Sequence, residues 1–149
     1  MSYKGKWFPK NPSKYTGDVN NIIFRSLWER HFFEWCDNTV DVLEWSSEEI
    51  TIRYISPLDR LYHRYFPDVF MKVKQSDGSV KCRLVEIKPA KECIEPVRPK
   101  GKRTTKKYIR EVTTYLVNQA KWNAAKEVCK DRGWDFVTLT EHELFPKKS

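Results

Sequence analysis

The sequence predicts an α/β domain in which a central mixed β-sheet is flanked by helices. Two segments with helical periodicity, 22–37 and 106–132, enclose the middle of the chain. Between them lie segments that alternate apolar with polar residues and are rich in β-branched and aromatic side chains, which is typical of strands. A last short segment, 135–140, follows the second helix, and a strand reached through a helix joins its sheet in parallel by a right-handed crossover.

The first helix is predicted over 22–37, where Ile23, Leu27 and Trp35 fall near one stripe. Asn20 or Asn21 is expected to cap its start, and Asn38 to end it. Glu29 lies between bulky neighbours, as a carboxylate aimed into a cleft would. Taken alone, a glutamate in this position is more often a solvated helix residue than a catalytic one.

Three antiparallel strands are predicted next, as a meander over 49–55, 61–74 and 80–89. Ser76-Asp77-Gly78-Ser79 lies between the last two and supplies turn chemistry, since Gly78 can adopt a positive φ.

The last two strands of this meander bring together residues with a shared chemical use. Asp68 lies on one strand and Glu86 with Lys88 on the next, where alternation puts Glu86 and Lys88 on one face. Two neighbouring carboxylates repel unless a cation lies between them, and hard oxygen ligands suit Mg²⁺. An ammonium group beside them can polarise a water or a phosphate oxygen, so the set favours a metal-assisted phosphodiester hydrolase. The alternative is a half-exposed hairpin with solvated charges.

The second helix is predicted over 106–132 and ends at Gly133. Its expected buried stripe consists of Ile109, Val112, Leu116, Ala120, Ala124 and Val128. Gln119 lies beside this stripe within reach of the cleft, whereas Lys121 is expected to turn further away into solvent. After the last strand, Thr140 to Glu143 can cap a short helix.

Charge is concentrated in the loop that precedes this helix. The chain carries a formal charge of +8, which favours a polyanionic partner such as nucleic acid. Residues 91–110 hold eight Lys or Arg against two Glu, a local net of +6. The loop would bind DNA phosphates without reading bases, or it is a solvated mobile loop.

The sequence also argues against a membrane protein and against a zinc-binding protein. No apolar run is long enough for a membrane span, so no membrane association is expected. The four cysteines and three histidines form no zinc spacing, and Cys36 and Cys129 are expected to pack as small apolar residues.

Residues 1–20 are predicted to form a basic and aromatic arm, and 21–149 a single domain. Prolines forbid a long helix in the arm. Its aromatic and lysine side chains suit either a nucleic-acid docking arm or a strap that covers the core, and the sequence leaves both open.

At this point the chain resembles a known superfamily. Phe66-Pro67-Asp68 followed by Glu86-Ile87-Lys88 resembles the PD-(D/E)XK nuclease signature, and Arg25-Ser26-Leu27-Trp28-Glu29 resembles that superfamily's first-helix glutamate motif. The second motif is similar to those of phage junction-resolving endonucleases and of the nuclease subunit of Tn7-type transposases. A closer resemblance, over nearly the whole chain, is to the head completion nucleases of T4-like phages. It is carried by the basic and aromatic start at 1–9, by 25–30, by Arg64-Tyr65-Phe66 and by the Glu-Ile-Lys-Pro of 86–89.

The resemblance implies a restriction-endonuclease-like core and a metal-dependent DNA endonuclease that uses Mg²⁺, with Mn²⁺ as a substitute. Asp68, Glu86 and the Ile87 carbonyl would bind metal, Glu29 a second metal or its water, and Lys88 would orient the attacking water. Gln119 and Lys121 are accessory candidates. Double-stranded DNA would be held by Arg25, Lys91, Arg98, Lys100, Lys102, Arg103, Lys106 and Lys107.

The same resemblance implies a role in phage head completion and DNA packaging, in the host cytoplasm or in the virion, beside portal or neck proteins. Two alternatives stay open. One is a structural head-completion or DNA-binding protein with little activity, and the other is a junction-resolving or transposase-type nuclease.

Overall fold

A computed structural model describes residues 4–101 and 103–146. Its helices and strands, in chain order, are β1 (Gly5–Lys6), β2 (Ile23–Phe24), α1 (Leu27–Asn38), β3 (Val42–Ser47), β4 (Ile52–Ile55), β5 (Tyr62–Tyr65), β6 (Val69–Lys74), β7 (Val80–Ile87), α2 (Lys106–Arg132), β8 (Asp135–Leu139) and α3 (Glu141–Leu144). Short 3₁₀ turns lie at Pro12–Lys14 and Ala90–Glu92.

The central sheet has four strands in the order β3-β6-β7-β8. The first two pairings are antiparallel, while β8 joins β7 in parallel after α2. The prediction of a mixed sheet flanked by helices is therefore confirmed, as are α2, the parallel last strand and the turn with Gly78 at φ +87°.

The predicted meander is wrong in one respect. The strand expected over 61–74 is two strands, because Pro67 has no N–H to donate to a ladder and β5 ends before it. β5 pairs only with β4, forming a separate hairpin, and the strand that flanks β6 in the sheet is β3.

The first helix begins later than predicted. Ile23 and Phe24 pair with β1, so α1 starts at Leu27, and its cap is Ser26 rather than Asn20 or Asn21. The Ser26 hydroxyl accepts a hydrogen bond from the Glu29 N–H at 3.2 Å. At the other end the helix extends one residue further than predicted and ends with Asn38.

Two hydrophobic clusters lie on opposite faces of the sheet. Along β7, Val85 and Ile87 join the cluster on the α1 side, while Leu84 joins the cluster that α2 and the β4–β5 hairpin cover. Cys36 and Cys129 are buried in these clusters, as expected. This layering leaves Glu86 on the same face of β7 as Leu84.

The buried stripe of α2 is displaced from the predicted one. Its buried residues are Asn118, Trp122, Ala125 and Cys129, which run from the middle of the helix towards its C-terminal end. Ile109 and Leu116 of the predicted stripe are about half exposed, because the sheet and hairpin cover the helix only from its middle onward, while Ala120, Ala124 and Val128 pack at the edge of that contact.

The N-terminal segment packs against the α1 side of the sheet. Trp7 contacts Phe33 and Trp45 edge to face, and Tyr15 is buried against Trp45. These two aromatic side chains therefore cover the core, as the strap interpretation of the arm predicts. Near the C-terminus, Thr140 and Glu143 form the expected capping box of α3. No helix within the described residues is long and apolar enough to cross a membrane.

Candidate active site

Asp68 lies in the bend between the buried Pro67 and the first residue of β6. Its Oδ2 accepts a hydrogen bond from the Ile87 N–H at 2.7 Å. Since Val69 pairs with Val85 in the ladder, this bond fixes the carboxyl group of Asp68 beside the C-terminal end of β7. The Ile87 carbonyl as a metal ligand stays a prediction.

Glu86 lies at this end of β7 on the face toward α2, and it is 6% exposed. The Tyr65 hydroxyl at the end of β5 donates a 2.8 Å hydrogen bond to its Oε2. The hairpin therefore contacts the site directly through its last residue.

Glu29 reaches the site from the first turn of α1 and is 9% exposed. Its Oε1 accepts a hydrogen bond from the Arg25 N–H, and its Oε2 accepts one from the Ser26 hydroxyl, both at 3.3 Å. The motif Arg25-Ser26-x-x-Glu29 thus begins the helix and fixes its carboxylate in the same set of contacts.

Glu48 is a site residue that the sequence analysis missed. One carboxylate oxygen each from Glu29, Glu48 and Asp68 lie within 4.8 Å of one another. Glu48 follows β3 with φ +54°, a left-handed conformation that is uncommon outside glycine. No sequence pattern predicts this backbone conformation. The one local signal for a site residue here is the pair of consecutive acids at 48 and 49 after a strand.

Arg25 lies at the rim of this group rather than alone in solvent. Its Nε and Nη2 contact the two carboxylate oxygens of Glu48 at 2.8 and 3.1 Å. Its side chain is 49% exposed, so a contact with DNA stays a prediction.

The carboxyl groups of the site are kept close together at an electrostatic cost. Burial raises the pKa of Asp68 well above its ordinary value, and the charges of Glu86 and Glu29 raise it further. Burial also raises the pKa of Glu29, with a contribution from Glu48. The pKa of Glu86 is raised by burial, against the effects of the Tyr65 hydrogen bond and of Lys88 and Lys121.

This donor set fits a divalent cation. Three carboxylates from separate elements converge, the charge of Glu86 acts on Asp68 beside them, and hard oxygen donors suit Mg²⁺ or Mn²⁺. A cation between them would remove the repulsion that raises the pKa of Asp68. Glu29, Glu48, Asp68 and Glu86 are the residues that could hold it.

Lys88 follows β7 directly, and its N–H donates to the Leu139 carbonyl of β8 at 3.0 Å. The positive charge of its side chain lowers the pKa of both Asp68 and Glu86. The structure thus brings the predicted Asp68, Glu86 and Lys88 together, with Glu29 beside them.

Lys121 lies nearer to the site than the sequence analysis expected. Its ammonium group lies 5.9 Å from the ring centre of Tyr54 and 5.7 Å from that of Tyr65, and its charge lowers the pKa of Glu86. The expectation that Lys121 turns away from the site is wrong, because α2 is rotated about its axis relative to the prediction and buries a different face. Gln119 is half-buried next to the buried Asn118.

A cavity of about 580 Å³ lies between the basic loop and the first half of α2. The described basic side chains are exposed, and Lys107 pairs with Glu111 at 3.8 Å; they are Lys91, Arg98, Lys100, Arg103, Lys106 and Lys107. Lys102 lies outside the described residues.

Comparison with known proteins identifies the family to which the chain belongs. The family model for the TnsA-like endonuclease N terminal matches residues 39–141. The head completion nuclease of Enterobacteria phage T4 is 42% identical over 146 residues, which cover 97% of this chain and 95% of the T4 protein. No solved structure is significantly similar. The chain therefore belongs to the TnsA-like endonuclease family of the restriction-endonuclease-like superfamily, which confirms the resemblance found in the sequence.

Proposed function

We propose that this protein is a divalent-metal-dependent DNA endonuclease that acts in phage head completion. The observation that carries the proposal is the grouping of Glu29, Glu48 and Asp68 at one end of the sheet, with Glu86 and Lys88 close enough to Asp68 to shift its pKa. Family membership and the printed name of the T4 relative support the same activity. The metal is proposed to be Mg²⁺, which Mn²⁺ could replace.

Each residue of the site has a separate proposed role in phosphodiester hydrolysis. A bound divalent cation would supply Lewis-acid charge neutralisation and a more acidic water. Asp68 and Glu86 would hold this cation, and Glu29 and Glu48 would hold a second cation or orient water. Lys88 places a positive charge beside the carboxylates, where it orients the attacking water and stabilises charge on the phosphate.

DNA is proposed to lie across the end of the sheet and the basic loop. The positive side chains from Lys91 to Lys107, of which the described ones are exposed, would neutralise backbone phosphates, which gives affinity without sequence readout. Arg25 would contribute at the rim of the site. Gln119 is retained as an accessory candidate, and Lys121 is a stronger one because of its effect on Glu86.

The biological setting is proposed from the relative's name. The T4 protein is called a head completion nuclease, so we infer action during phage assembly in the host cytoplasm. Contact with portal or neck proteins and presence in the virion are further parts of the proposal.

Cleavage by variants at two positions tests the activity. Plasmid and linear DNA are incubated with purified protein and Mg²⁺, Mn²⁺ or EDTA. Asp68→Asn removes a ligand charge while conserving shape, and Lys88→Ala removes the ammonium, so each should reduce the cleavage rate by at least about a hundredfold.

Asp131→Asn and Lys130→Ala are matched controls, because both side chains are exposed near the far end of α2. They should cleave like the wild type. Full activity of Asp68→Asn, or cleavage by the wild type in EDTA, would contradict the proposed site. Bound but uncut DNA with every metal would favour a structural role.

A further inference from the structure

The β4–β5 hairpin has one buried face and one exposed face. The inner face consists of Ile52, Tyr54 and Tyr65, which pack toward α2. The outer face carries Arg53 directly opposite Arg64, and Ile55 directly opposite Tyr62. Ile55 and Tyr62 are 51% and 63% exposed.

The arginine pair on this outer face is electrostatically unfavourable by itself. Like charges directly opposite each other in an antiparallel pair destabilise it. Within residues 4–101 and 103–146, no carboxylate lies within 4.0 Å of the guanidinium groups of Arg53, Arg64 or the nearby Arg60. An unneutralised positive pair on a rigid ribbon matches a polyanion.

The tip of the hairpin adds an apolar surface. Leu58 and Leu61 are 61% and 63% exposed, and both lie in the turn that joins Ile55 to Tyr62. The Arg53 guanidinium lies 4.4 Å from the ring centre of Tyr62. Exposed aliphatic and aromatic side chains beside arginines are the combination that contacts base faces where DNA stacking is interrupted.

The hairpin is fixed to the active site at its base. Tyr65 donates its hydroxyl hydrogen bond to Glu86, and only Phe66 and Pro67 separate it from Asp68. Arg64 is four residues from Asp68, which spans at most about 14 Å of chain. That is roughly four base pairs along B-DNA, so a duplex cut at Asp68 passes within reach of the outer face.

We propose that the β4–β5 hairpin is a second DNA-binding surface, in which Arg53 and Arg64 contact phosphates beside the scissile bond and the apolar tip contacts bases at a duplex end or branch. The inference rests on the proposed function, since it takes DNA as the substrate. It assigns the enzyme a preference for DNA with unpaired nucleotides next to a duplex.

Salt-dependent DNA binding tests the arginines. Affinity is measured by fluorescence anisotropy at several salt concentrations, in the Asp68→Asn background with Mg²⁺, so that DNA stays uncut. Arg53→Gln with Arg64→Gln should weaken binding and reduce the slope of log affinity against log salt by about 2. Lys126→Gln with Lys130→Gln removes the same charge from the far end of α2 and should leave that slope unchanged.

The tip is tested with two DNAs of equal length, an intact duplex and one with a single-stranded flap. Leu58→Ser with Leu61→Ser should keep the salt slope and lose the preference for the flap. Equal preference in this variant and the wild type overturns the base contact.

An unchanged salt slope in the arginine variant overturns the proposal and assigns the hairpin to a protein partner. An equal decrease of the slope in the arginine and the lysine variants overturns the proposal as well. These results are separate from the activity. Wild-type protein that binds DNA through the hairpin but cuts nothing would refute the proposed function and leave the hairpin surface standing.

Discussion

At the scale of single residues, the site depends on carboxylates that are held near one another before any cation binds. Asp68 is fixed by the Ile87 N–H, and Glu29 by its own helix cap. Such preorganisation costs stability in the metal-free protein, because burial and mutual repulsion disfavour the charged forms. That cost should be measurable as a coupling between pH and metal binding.

The stability gained from Mg²⁺ should increase with pH. In the metal-free folded state, the pKa values of Asp68, Glu29 and Glu86 are raised, so stability present below the unfolded-state pKa is lost as pH rises through the folded-state pKa. A bound cation stabilises the charged carboxylates and reverses this loss. We expect the rise in melting temperature on adding Mg²⁺ to be larger at about pH 8 than at about pH 5.

Asp68→Asn should remove much of this difference, and Asp131→Asn should leave it intact. An identical Mg²⁺-induced rise in melting temperature at both pH values would mean that these carboxyl groups do not bind the cation.

The sequence predicts residues of this site to the extent that local patterns encode them. Asp68, Glu86 and Lys88 come from strand patterns that a turn brings together, and Glu29 from a motif. Glu48 could not be predicted, because it joins the group through a positive φ at the end of β3. Lys121 was misplaced because a helix with weak amphipathicity leaves its rotation about its own axis to tertiary contacts.

At the scale of elements, the first turn of α1 has two roles, because Ser26 both caps the helix and hydrogen-bonds the Glu29 carboxylate of the site. Periodicity alone extended the helix back to residue 22, but a serine whose hydroxyl accepts from an N–H three residues later is a better marker of a helix start. Similarly, Pro67 marked the division between β5 and β6 more reliably than the continuous run of strand-forming residues around it.

Ser26→Ala should destabilise the protein by about 1 kcal/mol, because the cap of α1 is lost. It should also slow cleavage, since the Glu29 carboxylate loses one of its two hydrogen bonds. Urea unfolding and plasmid cleavage measure the two effects. Ser26→Thr keeps the hydroxyl and should restore both, whereas wild-type stability in Ser26→Ala would rule out the cap as a stabilising contact.

At the scale of the whole molecule, the N-terminal segment ties the α1 side together. The Asp37 carboxylate accepts from the N–H groups of Lys10 and Asn11 at 2.8 and 3.1 Å. The Lys14 ammonium donates to three carbonyls at the C-terminal end of α1, where the helix leaves acceptors unpaired. These contacts, with Trp7 and Tyr15 in the core, make the segment part of the folded unit.

Tyr15→Phe should therefore cost about 1–3 kcal/mol, since the buried Ser47 N–H loses the hydroxyl that accepts its hydrogen bond at 3.0 Å. Tyr62→Phe, on an exposed ring, should change the unfolding free energy by less than about 0.5 kcal/mol. Urea denaturation compares the two. Equal stability of both variants would mean that the hydrogen bond between Ser47 and Tyr15 does not stabilise the fold.

The β4–β5 hairpin leaves and re-enters the sheet at almost one point. Its connections run through Glu48 and Asp68, and the Glu48 N–H donates to the Asp68 carbonyl at 3.3 Å. Because the two ends are joined there, the tip and the outer face of the hairpin can be lengthened, shortened or replaced without shifting the β3–β6 register, provided that Ile52, Tyr54 and Tyr65 are kept on the inner face. Grafting only the outer face and tip from a relative onto this chain therefore offers a route to new DNA preferences with the carboxylates left unchanged.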